Sequence, residues 1–270
     1  MLGYLTQTSG GIRIVDWRFA GSTGDSMSAL LYVPPNATPD TPAPGILAVH
    51  GYINSRETQD GFAIEFARRG YVVLAIDQTG HGYSDPPAFA NDFGGPAGLA
   101  VLRSLPFVDK NNIGLEGHSM GGWTVLAAAN VAPDDYKSMV LEGSSTGEPF
   151  AADGTPGWPR NVALVFAQYD EFSNLMWGVE RARDVTQSPK LWALFGTQGP
   201  VETGKRSTAI SRKAPRGCST RRRLRIPLSI FHMRRSATAS TGSPRHCRAV
   251  RRARPAIKSG CARRSARCSR

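Results

Sequence analysis

The sequence predicts an α/β fold, with a mostly parallel central sheet carrying helices on both faces. Short, wholly apolar runs alternate with stretches of helical spacing, the pattern of strands buried by crossover helices. Candidate chemical motifs fall where those runs end, and open α/β sheets bind ligands at the carboxyl ends of their strands. A chain of 270 residues is also long enough for one sizeable domain with a real core.

In order, residues 12–20 and 27–33 read as antiparallel leading strands around a turn-rich 21–25. A Pro/Thr/Ala loop occupies 34–44, and Gly45-Ile46-Leu47-Ala48-Val49 is a buried strand. Phe62, Ile64, Phe66 and Ala67 recur at helical spacing, so 58–69 is a helix with Gly70 as its stop. Residues 71–76 form the next buried strand. Beyond it, 96–105, 120–131 and 174–185 read as helices, and 113–116, 138–141 and 162–167 as strands.

Three motifs carry chemistry, beginning with Gly117-His118-Ser119-Met120-Gly121 between a strand and a helix. A serine at the tip of such a turn sits in strained backbone and needs small neighbours. The helix that follows turns its free N–H groups toward the spot where an oxyanion would develop. The second motif is His50-Gly51-Tyr52, where the glycine lets backbone turn close to the serine. A Tyr52 N–H could then join that of Met120 as an oxyanion hole, with His50 bracing the loop. The third is Asp170 with Glu171 beside it, after a late strand, where a carboxylate can orient and stabilise an imidazolium. Glu171 is the fallback, and a solvated loop acid is the plainer alternative for both. Asp77 and His81 belong to the turn-rich 77–85 and read as loop-fixing residues.

Taken in order and spacing, these residues resemble the α/β-hydrolase superfamily of serine esterases, lipases and peptidases over about residues 12–196. The resemblance implies Ser119 as nucleophile, Asp170 as triad acid and Tyr52 and Met120 as oxyanion donors. It also implies an acyl-enzyme route on a carboxylic ester, thioester or amide. Residues 144–159 stand where such proteins carry a lid, but are short and rich in Gly, Pro and Ala, so a loop is expected.

The resemblance stops near residue 205. Up to Lys205 there are 13 basic and 21 acidic residues, a net −8, whereas 206–270 holds 20 basic residues and no acid. All four cysteines (Cys218, Cys247, Cys261, Cys268) lie there too. The family's histidine should follow the acid, yet only His232 and His246 follow Asp170, both in this basic stretch. The triad histidine is therefore unassigned, the closing strand and helix are expected to be missing, and an edge of the sheet is expected to be exposed.

Three readings fit the stretch. A basic arm would bind nucleic acid or an anionic surface, which would make a non-catalytic binding protein the alternative function. A cysteine module is the second, although the spacings match no zinc pattern. Out-of-frame translation of GC-rich DNA is the third, since it yields Arg, Ala, Ser, Pro, Gly and Cys with few acids. Codons permitted for residues 224–232, shifted by two bases, can spell Ala-Ser-His-Pro-Ala-Glu-His-Ile-Ser, a histidine-bearing loop.

The domains expected are thus 1–205, an incomplete hydrolase, and 206–270, a disordered or frameshifted tail. No apolar run is long enough to span a bilayer and the start lacks signal-peptide character, so a soluble, cytoplasmic chain is expected. Nothing points to a metal, a nucleotide loop or a redox group. No cofactor is expected, and the partner is a small acyl substrate.

Overall fold

The computed structural model describes residues 9–204. A seven-stranded sheet has the order β1-β2-β4-β3-β5-β6-β7, comprising β1 (Arg13–Ala20), β2 (Ser26–Val33), β3 (Ala43–Val49), β4 (Val72–Ile76), β5 (Val108–His118), β6 (Ser138–Glu142) and β7 (Val162–Val165). The first pair and the β2–β4 pair are antiparallel, and every pairing from β4 to β7 is parallel. The fold class therefore stands as the apolar runs predicted it.

Strand alternation sends neighbouring residues to opposite faces, and each face has its own helices. Leu47, Leu74, Leu115 and Leu141 pack in one cluster with Leu99 and Leu102 of α2 (Gly95–Ser104) and Val125 and Leu126 of α3 (Met120–Val131). Ile46, Ala48, Val73 and Ala75 pack in the other with Ala63, Ile64 and Ala67 of α1 (Asp60–Arg68). Each fully buried Leu or Ile contributes about 1.5–3 kcal/mol by leaving water, so β3 and β4, apolar on both sides, anchor the sheet. Among the described residues β7 pairs with β6 alone, and Val165 is 55% exposed.

Two departures occur late in the chain. The helix expected over 174–185 is broken: α4 (Ser173–Trp177) stops at Gly178, whose φ of 67° is left-handed. A 3₁₀ turn (Ala182–Gln187) follows, separated by a mostly exposed, charged stretch. Gly178 acts as a helix stop rather than as a tolerated interior residue. A further helix, α5 (Pro189–Phe195), went unread, although Pro189 opens it and Gly196 at φ 66° closes it. β5 also starts five residues earlier than expected, through a register shift at Pro44/Gly45, and β7 ends two residues early.

Residues 143–161 contain no helix or strand, as expected of a loop. Among the described residues no helix is long and apolar enough to cross a membrane. His232, His246, the cysteines, the 205/206 boundary and the expected loss of the closing strand and helix lie outside the described residues.

Candidate active site

β5 ends at His118 and α3 begins at Met120, leaving Ser119 alone in the turn between them. Its φ of 53° and ψ of −118° lie where a residue with a Cβ is rarely found. The Ser119 N–H donates to the Glu142 carbonyl at 2.8 Å, and its own carbonyl accepts from the Gly122 N–H at 2.9 Å. The turn is thus tied to β6 on one side and to α3 on the other.

The surrounding glycines are required for space. A Cβ at Gly117 would overlap the backbone of Gly121, and one at Gly121 would overlap the carbonyls of Val49 and His50. A Cβ at Gly122 would overlap the Ser144 hydroxyl. Met120 is buried and is the first residue of α3, so its N–H is among those that the helix leaves unpaired.

The loop after β3 closes in from the other side. A Cβ at Gly51 would stand 3.0 Å from Nδ1 of His118 and 3.3 Å from Cβ of Ser119. Tyr52, next along, is 56% exposed; its ring stacks on Phe89 with centroids 6.1 Å apart and meets His81 edge-on.

Asp170 leaves the end of β7 half-buried. Its Oδ1 accepts the Phe172 N–H at 2.9 Å, and its Oδ2 would lie 3.4 Å from a Cβ placed on Gly143. Glu171, the fallback, is exposed. The structure therefore brings Gly51 against Ser119, with Met120 next in the chain after the serine and Tyr52 next after the glycine. Asp170 stands across Gly143, which also lies close to His118.

His50, Asp77 and His81 hold loops, as the sequence suggested. Nδ1 of His50 donates to the Gly51 carbonyl at 2.7 Å, and its Nε2 accepts the Gln78 N–H at 3.1 Å, which together select one tautomer. Burial holds this imidazole below its ordinary pKa, hence neutral. Asp77 accepts the Arg56 N–H at 2.8 Å and the Tyr83 N–H at 3.1 Å, joining the loops after β3 and β4. A Cβ on Gly82 would overlap the Asp77 carboxylate, so the carboxylate and the glycine go together. Nδ1 of His81 lies 3.1 Å from the Thr79 carbonyl within the same loop.

Three ionisable residues of the site were missed in the sequence. Glu116 is 2% exposed and both its oxygens lack a hydrogen-bond partner among the described residues. Burial, reinforced by Glu142, pushes its carboxyl well above the ordinary range. Glu142 is opposite His118 in the β5–β6 register, and burial pushes it up to about 7. His118 is held down by burial, against a pull upward from Asp170. The one signal for Glu116 was a charge directly after the run Ile113-Gly114-Leu115 and next to the serine motif. For His118 it was its place next to the serine.

Residues 44–175 match the model of the α/β-hydrolase fold family. With the sheet order above, this gives the chain the α/β-hydrolase fold. The α/β-hydrolase chain is 30% identical over 189 residues to a monoacylglycerol lipase of Mycolicibacterium smegmatis, covering 65% of this chain and 62% of the lipase. It thus spans less than two thirds of that relative's length. Among solved structures it is similar to PA2218 of Pseudomonas aeruginosa (TM-score 0.45, 26% identity, 50% of this chain and 44% of that one). It is also similar to the α/β hydrolase GrgF of Penicillium sp. sh18 (TM-score 0.44, 21% identity, 51% and 49%).

Proposed function

We propose that this α/β-hydrolase chain is a serine hydrolase of carboxylic esters or related acyl compounds, working through an acyl-enzyme. The supporting observation is Ser119 itself, held in strained backbone at the start of α3 with the Gly51–Tyr52 loop against it. The Ser119 turn is a nucleophile elbow on this reading. Its Oγ attacks the acyl carbonyl and gives its proton to a base, and the carbonyl oxygen becomes an oxyanion. The N–H groups of Tyr52 and Met120 receive that charge, an arrangement in which one donor contributes about 10²–10³ in kcat. Collapse breaks the bond to the leaving alcohol, which takes the proton, and water then repeats the sequence to free the acid. Asp170 is the carboxylate that steadies the protonated base.

The base is the weak part of the assembly. The chain as written sets its later histidines in the basic stretch after Lys205, which we read as out-of-frame sequence. We therefore propose that the triad is incomplete and that turnover is reduced by several orders of magnitude. The residual rate would come from the oxyanion hole, typically about 10³–10⁴ over water. Hydrolysis of a p-nitrophenyl ester and labelling by a fluorophosphonate test the reading together. Slow labelling confined to Ser119 and abolished by Ser119→Ala is expected, with turnover equally slow because both steps need the base. Labelling that survives Ser119→Ala would sink it. The coding DNA tests the frame: early stop codons in the alternative frame would end the frameshift idea.

A further inference from the structure

The loops after β3 and β4 hold large apolar side chains out in solvent beside the serine. Tyr52, Ile53 and Phe89 are 56%, 77% and 53% exposed. Single apolar side chains on a surface mean little, but a contiguous group marks a place where something binds. The Tyr52 and Phe89 rings are stacked with centroids 6.1 Å apart, His81 meets both edge-on, and Ile53 follows Tyr52 in the chain. Phe89 also meets Phe93 edge-on, centroids 6.0 Å apart, and Phe93 packs against the core. The fold keeps these side chains out at a cost. Ile53 has a φ of 51° and Phe89 one of 68°, the left-handed region that β-branched and bulky residues rarely enter. Phe89 is also fixed from either side. The Thr79 hydroxyl donates to the Ala90 carbonyl at 2.8 Å, and a Cβ on Gly80 would overlap the backbone of Ala88. The two rings begin at the serine: a Cβ on Gly51 would stand 3.3 Å from Cβ of Ser119, and Tyr52 is the next residue, about 3.8 Å on.

We propose that the Tyr52 and Phe89 rings, with Ile53 next in the chain, form a shelf for the acyl chain of the substrate. Ser119 then reacts faster with esters of an apolar chain of several carbons than with acetyl esters. The proposal rests on the serine-hydrolase reading above and adds the class of acyl group to it. Two flat rings give a chain broad contact with few rotatable bonds to freeze, and none of the three side chains carries a charge that would call for a polar group. The shelf is open to water on one side, so a chain lying on it loses only part of its hydration. A methylene buried on all sides is favoured about fourfold, and one resting on an open shelf about twofold. An octanoyl chain is long enough to lie across rings whose centres are 6.1 Å apart, whereas an acetyl group is not.

The test uses the full chain and p-nitrophenyl esters, counting only the rate that Ser119→Ala removes. Octanoate and acetate esters depend on the same base, so its absence divides out of their ratio. The octanoate ester should lead the acetate ester by roughly tenfold or more in kcat/KM. Ile53→Asn and Phe89→Asn remove the apolar groups and suit a positive φ, so the backbone loses strain and keeps its fold. In the double variant the ratio should fall several-fold. A flat chain-length profile, or a ratio that the double variant keeps, overturns the shelf. A second readout needs no reactive serine. In Ser119→Ala, octanoate should saturably shift the His81 ring signal in NMR, assigned by its loss in His81→Gln, and acetate should not. Adding Phe89→Asn should weaken that octanoate binding several-fold. A His81 signal that octanoate leaves unmoved overturns the shelf. If no ester shows a Ser119-dependent rate, the serine-hydrolase reading fails, while the octanoate titration still decides the shelf.

Discussion

Ser119 sits in a conformation that costs a residue with a side chain about 1–3 kcal/mol, and the strain is held by hydrogen bonds to β6 and α3. Ser119→Gly should therefore raise stability by about 1 kcal/mol in urea unfolding while abolishing labelling. A loss of stability would mean that the turn is not strained. The serine and its glycines were legible in the sequence because the pattern states its own geometry: small, serine, small. The places of Tyr52 and Asp170 could be read because each comes after a recognisable strand, and that of Met120 because it follows the serine. Glu116 and Glu142 were not, because their interest comes from burial and from lying on adjacent strands, which no local pattern encodes.

Elements were read well where one period ran unbroken. The bounds of α3 came out as expected, Met120–Val131, because an apolar helix follows directly on the serine turn. The segment after β7 failed because a single glycine outweighs several residues of apparent helical spacing. Gly178 and Gly121 separate the two ways in which a glycine can matter. Nothing lies within 4 Å of a Cβ on Gly178, so Gly178→Ala should cost only the backbone penalty of about 1–2 kcal/mol. A Cβ on Gly121 meets the backbone of β3 and the loop after it, so Gly121→Ala should cost about 3 kcal/mol or more. Equal shifts of the two urea midpoints would contradict the close packing of α3 against β3.

Stability of the whole molecule should depend on pH in an unusual direction. Glu142 has its folded-state pKa raised from 4.5 to about 7, and Glu116 is raised as well. The folded chain therefore holds these protons more tightly than the unfolded chain, so their contribution is fully present below about 4.5. It is lost as pH rises toward 7 and is flat above that for Glu142. Asp16, Asp25 and Asp109 are lowered and act oppositely, losing stability in acid as pH falls below their ordinary range. His50 and His118, whose pKa values burial lowers, oppose the glutamates as pH falls below about 6.5, so the glutamate contribution is read as the difference that Glu142→Gln makes. Glu142→Gln should flatten the fall between pH 4.5 and 7 by about 1–2 kcal/mol, allowing for its partial solvent access. An unchanged slope in thermal or urea unfolding at several pH values would place the titration elsewhere.

The crowding of α3 against β3 also has a genetic consequence. Any single-base, non-synonymous change in a glycine codon introduces a side chain, and at positions 117, 121 and 122 there is no volume to receive one. A saturation library scored for abundance alone should show those three columns empty on either side of a permissive column at 119. The same library scored for labelling should empty column 119 as well. The difference between the two maps would separate what the turn needs to exist from what it needs to react.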